Sequence, residues 1–210
     1  VPLRPPGVDA HRFSKVARLT EGHWWQRGKD LFLTISLTES PLAPDYDRSA
    51  MTTGIVHIGV GGFHRAHQAV VMDDLLAQGG HDSWAITGLG ALAGDSRMRD
   101  ALNDQDGLYT LAVKHPDGHR DNRVIGSIRT MAVAPEDPAG AVELMADPAT
   151  RIVSLTITEG GYYVDAKTDG FDAGHPDMVH DAGAPDAPRT VFGMILAALR
   201  ARRAAGHAPF

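Results

Sequence analysis

Residues 54–68 read Gly-Ile-Val-His-Ile-Gly-Val-Gly-Gly-Phe-His-Arg-Ala-His-Gln, and no other stretch of the chain concentrates as much potential chemistry. The apolar run Ile55 to Ile58 stops at Gly59-Val60-Gly61-Gly62, and a segment with helix-spaced apolar residues at Ala66, Ala69, Val70 and Leu75 follows. Strand, glycine turn and helix in that order form the first unit of a dinucleotide-binding fold. Glycines let backbone amides approach a pyrophosphate, and the helix start behind them offers unpaired N–H groups and a positive dipole end. Gly59-x-Gly61 fits the fingerprint, but His64 stands where its third glycine would be. The competing reading is a structural strand-to-helix turn in an unrelated α/β protein.

Other residues gain meaning from this turn. Arg65, in the first turn of the helix, either reaches a phosphate or is solvated. His57, His64 and His67 invite a metal, but His57 lies inside a strand and there is neither a nearby Cys nor a His-Glu-x-x-His spacing, so no metal is expected. Asp95, in Ala93-Gly94-Asp95-Ser96, is the candidate acid for an adenosine ribose. A carboxylate there accepts from the 2′-hydroxyl and repels a 2′-phosphate, which favours NAD over NADP. Its structural alternative is an N-cap for the helix beginning near Ser96. Thr158-Glu159-Gly160-Gly161 ends a β-branched run, where ligands sit in open α/β sheets; the alternative is a plain turn with an exposed Glu.

These residues need elements to hold them. The spacing predicts a first helix from near Phe63 to Gln78, stopped by Gly79-Gly80, then a buried strand over Trp84 to Gly90. A short helix over Arg97 to Leu102 follows. Leu108 to Lys114 and Val124 to Val133 read as an antiparallel excursion around the Pro116-Asp117-Gly118 turn. Pro138 suits the first turn of a helix over Ala139 to Met145. Ile152 to Thr158 reads as a fully buried strand, Asp165 to Pro188 as a loop, and Thr190 to Ala205 as an amphipathic helix. Arg200, Arg202 and Arg203 suit that helix's C-terminus, with an anion site as the lesser alternative. The expected fold is therefore α/β: a Rossmann-like, doubly wound, mostly parallel sheet with an antiparallel excursion.

The whole chain is consistent with this reading. Its 210 residues are 43% hydrophobic and 22% charged, which is ordinary globular composition. A formal net charge of −6 argues against nucleic acid, and no apolar run has the length of a membrane span. The lack of cysteine removes disulfides and thiolate chemistry and fits a reducing cytoplasm. Residues 1–45 read as an N-terminal extension and linker, with Leu33 to Leu37 as a short strand or arm and Ser40 to Asp45 as a turn-rich linker. The six basic residues of the first 33, Arg4, Arg12, Lys15, Arg18, Arg27 and Lys29, raise a transit peptide; Asp9, Glu21 and Asp30 weaken it. Residues 46–210 form the expected cofactor domain.

Four blocks together resemble the long-chain mannitol dehydrogenase family: Gly54 to His67, Gln105-Asp-Gly-Leu-Tyr-Thr110, Ile152 to Tyr162, and Thr190-Val-Phe-Gly193. The likeness runs from about Tyr46 to Phe210, and Glu159-Gly-Gly-Tyr162 is more similar to the mannitol branch than to the fructuronate reductases. The resemblance implies zinc-independent, NAD-dependent interconversion of a polyol, D-mannitol, and a ketose, D-fructose. D-arabinitol dehydrogenases and fructuronate reductase are the related activities. It implies Gly59, Gly61 and Gly62 at the pyrophosphate, with Ile58, Val60, Phe63, His64 and Arg65 shaping the helix entrance, Asp95 at the ribose, and Thr158 and Glu159 at the nicotinamide edge. Gly94 departs from the acid expected beside Asp95. The family's catalytic Lys-x4-Asn-x2-His arrangement belongs to a C-terminal helical domain. None of Lys15, Lys29, Lys114 or Lys167 begins that spacing, so a monomeric cofactor-binding portion without its catalytic half is expected, with a non-catalytic NAD-binding module as the other reading.

Overall fold

The computed structural model describes residues 42–210 except 166, together with 23–27, 30–34, 37 and 40. The expectations for the remainder of residues 1–41 lie outside the described residues. Two strands in the N-terminal segment, β1 (His23–Arg27) and β2 (Asp30–Thr34), form an antiparallel pair with Gln26 opposite Leu31. The first half of the strand expected over Leu33 to Leu37 thus closes β2.

The rest is built on a four-stranded parallel sheet. β3 (Thr53–Ile58) and β4 (Ala85–Gly90) form its centre, β7 (Ile128–Val133) flanks β4, and β8 (Ile152–Leu155) flanks β3. The chain therefore moves outward from β3 through β4 to β7 and then returns to the other side of β3. That reversal puts the topological switch between β3 and β8, where open α/β sheets bind ligands.

Alternation along β3 explains the two layers of core. Ile55 faces α2 (Gln68–Ala77) and α3 (Ser96–Asn103), packing with Ala69, Met72 and Leu102. Val56 and Ile58 face the other way, onto Ala141 and Met145 of α4 (Pro138–Ala146) and Met194 and Ala198 of α6 (Val191–Ala204). A strand covered on both faces must be apolar at successive positions, as Ile55, Val56 and Ile58 are; His57 is the exception.

Four sequence expectations are corrected. The single helix over Phe63 to Gln78 is two, α1 (Gly62–Ala66) and α2, broken at His67 (φ −126°, ψ −84°). There the His67 N–H bonds back to the His64 carbonyl and its Nδ1 lies 2.7 Å from the Phe63 carbonyl, so the ring competes with the helical ladder. The strand over Val124 to Val133 divides at Gly126-Ser127. β6 (Arg120–Ile125) pairs antiparallel with β5 (Tyr109–Lys114), while β7 joins the parallel core. The fully buried strand over Ile152 to Thr158 shortens to β8, at the sheet edge with Ile152 exposed, because it has one strand neighbour rather than two. The loop at 165–188 contains α5 (Pro176–Gly183), started by Pro176 at its first position and His175 Nδ1 accepting from Asp177 N.

The basic triplet also behaves differently. Arg202 is buried and donates to the carbonyls of Asp147, Thr150 and Ala208, so it closes the end of α4 rather than only its own helix. The turn signals hold: Gly79 (φ +75°), Gly80 (φ +74°) and Gly118 (φ +86°) occupy left-handed backbone.

Candidate cofactor cleft

β3 ends at Ile58, buried in the sheet, and the chain turns at Gly59 with φ +92°. A Cβ on Gly59 would be strained by that φ and would sit 2.6 Å from the Thr156 carbonyl oxygen. Only glycine lets this turn pass so close to the chain leaving β8. The turn is anchored on three sides: Gly59 N donates to Leu89 O (2.9 Å), Gly61 N to Gly59 O (2.8 Å), and Thr156 Oγ1 to Gly59 O (2.8 Å). Beyond it, Cβ atoms on Gly61 and Gly62 would meet nothing within 4 Å, so the outer face of the turn is open. The N–H groups of Gly62 and Phe63, in the first turn of α1, have no backbone acceptor among the described residues.

A cleft of about 630 Å³ lies over this turn, at the carboxyl ends of the parallel strands. Gly59, Val60 and Gly61 form its floor, with Ala91, Leu92 and Asp95 after β4 on one side and Thr156 to Thr158 and Gly160 after β8 on the other. Met98 and Met131 line it with apolar surface, and Tyr163, Asp177 and Arg189 close the far end. Its size is that of a small-molecule or cofactor site.

The predicted site residues divide accordingly. Gly59, Val60, Gly61, Asp95 and Thr158 line the cleft. Ile58 supports it from within the sheet, and Gly62 opens α1. Phe63 is exposed and stacks on His67, with ring centroids 4.2 Å apart. Arg65 donates from Nη1 to Val60 O (2.7 Å), bracing the turn from behind. Tyr109 Oη donates to the Arg65 carbonyl (2.6 Å), tying the antiparallel hairpin to the same helix. His64 is buried, with its ring stacked 3.6 Å from that of His57. Burial pushes both rings down, His57 to about 4 and His64 to about 3, so both are neutral at neutral pH. No group of three or more His, Cys, Asp or Glu among the described residues could hold a metal.

Asp95 is not the side-chain N-cap of α3. Its Oδ2 accepts from Leu92 N (3.0 Å), and its Oδ1 has no protein donor among the described residues. A Cβ on Gly90 would lie 2.5 Å from the Asp95 Cβ, so the glycine exit of β4 is what lets this carboxylate fold back over the strand end. Glu159 opens the 3-10 turn Glu159–Tyr162, and its neighbours Thr158 and Gly160 both face the cleft.

The Thr190-Val-Phe-Gly193 block also has a physical reason. Thr190 Oγ1 accepts from Gly193 N (2.9 Å) to cap α6 and donates to Asp181 Oδ2 (2.7 Å). Asp181 also accepts from Arg189 N and Thr190 N, fixing α5 against the start of α6 and with it the cleft wall at Arg189 and Val191. Sequence reasoning missed Leu92, Met98, Met131, Tyr163, Asp177 and Arg189. No local motif marks them; the turns after β4 and β8 were the available signal.

A family model described as the mannitol dehydrogenase Rossmann domain matches residues 53–210, about three quarters of the chain. The chain belongs to the mannitol dehydrogenase family. A mannitol 2-dehydrogenase of Cereibacter sphaeroides is 57% identical over 175 residues, covering 83% of this chain and 36% of that one. One from Pyricularia oryzae is 46% identical over 169 residues, covering 80% and 34%. Among solved structures, the Pseudomonas fluorescens mannitol 2-dehydrogenase in ternary complex with NAD and D-mannitol superposes with a TM-score of 0.75 at 46% identity, over 80% of this chain and 34% of that one. A substrate-free D-sorbitol dehydrogenase gives 0.74 at 40% identity, covering 80% and 34%. The chain thus spans about a third of the length of the mannitol dehydrogenase relatives it matches.

Proposed function

We propose that this chain is the cofactor-binding portion of an NAD-dependent polyol dehydrogenase that interconverts D-mannitol and D-fructose. The observation that carries the reading is the cleft over Gly59 to Gly61, placed at the switch between β3 and β8. The open face of Gly61 and Gly62 and the unengaged amides of Gly62 and Phe63 fit a pyrophosphate. The free Oδ1 of Asp95 fits the 2′-hydroxyl of an adenosine ribose and would repel a 2′-phosphate. Thr158 and the Glu159 turn, at the opposite side of the turn, suit the nicotinamide end.

NAD supplies hydride acceptance when bound; the residues of this chain bind and orient it. Hydride removal from a secondary alcohol also needs a base for the hydroxyl proton. No lysine among the described residues lines the cleft, and on this reading the base is supplied from outside it. Support for mannitol rests on the relatives at 57% and 46% identity; D-arabinitol or a sugar acid is the alternative substrate within the same chemistry. The test is a fluorescence titration of the purified chain with NADH and NADPH. Saturable NADH binding with weaker NADPH binding is expected. A folded chain, by circular dichroism, that binds neither nucleotide would remove the cofactor reading and leave a non-catalytic module.

A further inference from the structure

His57 sits in the central strand, beneath the glycine turn, with both ring nitrogens engaged. Nδ1 lies 2.8 Å from Ser154 Oγ, and Nε2 lies 3.0 Å from Thr156 Oγ1. Each hydroxyl has a second contact. Thr156 Oγ1 is 2.8 Å from the Gly59 carbonyl, and Ser154 Oγ is 3.2 Å from Oε1 of Gln68 at the start of α2. Five groups from α2, β8, β3, the segment after β8 and the glycine turn therefore form one line.

Counting protons along that line fixes its direction. A carbonyl oxygen only accepts, so the single Thr156 hydroxyl proton goes to Gly59 O and Thr156 must accept from His57 Nε2. If Ser154 likewise gave its proton to Gln68, both nitrogens of His57 would have to donate, which requires an imidazolium. A buried ring stacked on a second histidine disfavours that charge. The neutral solution is for Ser154 to donate to Nδ1 and accept from the Gln68 amide. That places the amide nitrogen toward Ser154, and amide oxygen and nitrogen are interchangeable in shape.

We propose that neutral His57, as its Nε2–H tautomer, is a positioning residue that holds the pyrophosphate turn through a directed relay from Gln68 through Ser154, His57 and Thr156 to the Gly59 carbonyl. This rests on the cofactor reading given above. The relay fixes the Gly59–Val60 peptide plane, which follows the φ +92° turn at Gly59, and so the direction of the backbone that lines the cleft. It also links that turn to the segment after β8, on the nicotinamide side, so the two walls of the cleft keep one spacing.

The relay makes predictions that a merely space-filling histidine does not. In ¹⁵N spectra of the histidine side chains at neutral pH, with the His57 signal assigned by its loss in His57→Gln, Nε2 is protonated and Nδ1 is a bare acceptor. Gln68→Glu keeps the shape, and its ionised carboxylate can only accept from Ser154, so Nδ1 becomes protonated as well, giving an imidazolium whose charge the new carboxylate balances. In NADH titrations, Thr156→Val weakens binding about tenfold, the worth of one hydrogen bond of this kind, while Thr156→Ser, which keeps the hydroxyl, stays near wild type. An Nδ1–H tautomer in the wild type, an unchanged ring in Gln68→Glu, or a Thr156→Val variant that binds NADH like wild type would each overturn the proposal. A wild-type chain that is folded but binds no NADH would instead sink the cofactor reading, and the tautomer spectra would still decide the relay.

Discussion

On the proposed function, Asp95 is the residue on which cofactor choice turns. Its Oδ2 is held by the Leu92 amide, and Oδ1 has no competing donor among the described residues at the cleft wall. Replacing it by Ser should lower NADH affinity about tenfold or more, the value of a hydrogen bond to a charged acceptor, and should raise NADPH affinity relative to NADH. An unchanged ratio of the two dissociation constants would remove Asp95 from the ribose. The His57–His64 stack makes a second claim at this scale. Both rings titrate well below the ordinary histidine value near 6.5 because they are buried, His57 at about 4 and His64 at about 3. The unfolded chain therefore takes up protons at these sites below about pH 6.5 while the folded chain does not. Their contribution to stability is complete above that pH and is lost as pH falls toward 4 and then 3. With both rings counted, the slope is steeper than either ring alone would give, toward about 3 kcal/mol per pH unit. Urea midpoints measured between pH 6.5 and 5 should fall accordingly, and His64→Phe should roughly halve the slope. A flat profile would mean that the rings are already protonated in the folded state.

At the scale of elements, the place where the antiparallel hairpin gives way to the parallel core depends on Arg48. Its guanidinium donates from Nε to Gly126 O (3.0 Å) and from Nη2 to Ile128 O (3.1 Å), and it pairs with the Asp106 carboxylate. These contacts satisfy the carbonyls of Gly126 and Ile128 on either side of Ser127, whose own carbonyl accepts from Ile86 N of β4. Arg48→Ala should cost about 2–3 kcal/mol, read as a lower urea midpoint with the hairpin side opening first by hydrogen exchange. This break also marks what the sequence left unreadable. Val124 to Val133 is one β-favouring run, and nothing local says that its halves pair with different partners; Arg48, 78 positions before Gly126, decides it. The elements around the cleft were legible because their signals are local: a glycine turn after an apolar strand, Gly79-Gly80, Pro138. The split of the first helix was not, since His67 breaks it through its own ring against the Phe63 carbonyl. The fingerprint departure at His64 was legible as a difference, but its reason, a ring stacked on His57 from the neighbouring strand, is tertiary. Of the cleft residues Tyr163, Asp177 and Arg189, Asp177 lies in the stretch read as loop and the other two flank it, so none had a local signature.

For the whole molecule, the proposed function separates binding from chemistry. The cleft presents backbone amides, one acid suited to a ribose and apolar methionines, which are the parts that hold and orient a dinucleotide. Of the four lysines, Lys15 and Lys29 fall outside the described residues, and Lys114 and Lys167 are exposed and not among the residues lining the cleft. The relatives at 57% and 46% identity are more than twice as long, so a base supplied by sequence beyond this match is consistent with their lengths. Ile152 at the β8 edge is 41% exposed, whereas every residue of β4 at the centre is buried. The expected outcome is therefore a chain that binds NADH but does not turn over. With D-mannitol and NAD the purified 210-residue chain should give no sustained rise in absorbance from NADH, even at concentrations where titration shows the cofactor site filled. A mixture with a separately expressed catalytic domain from a mannitol dehydrogenase relative should restore a rate, because the missing proton acceptor can be supplied in trans once the cofactor is held. Steady, mannitol-dependent NADH production by the chain alone would show that a base for the hydroxyl proton lies within these residues after all, and would send the search for it to the exposed lysines and to Glu159.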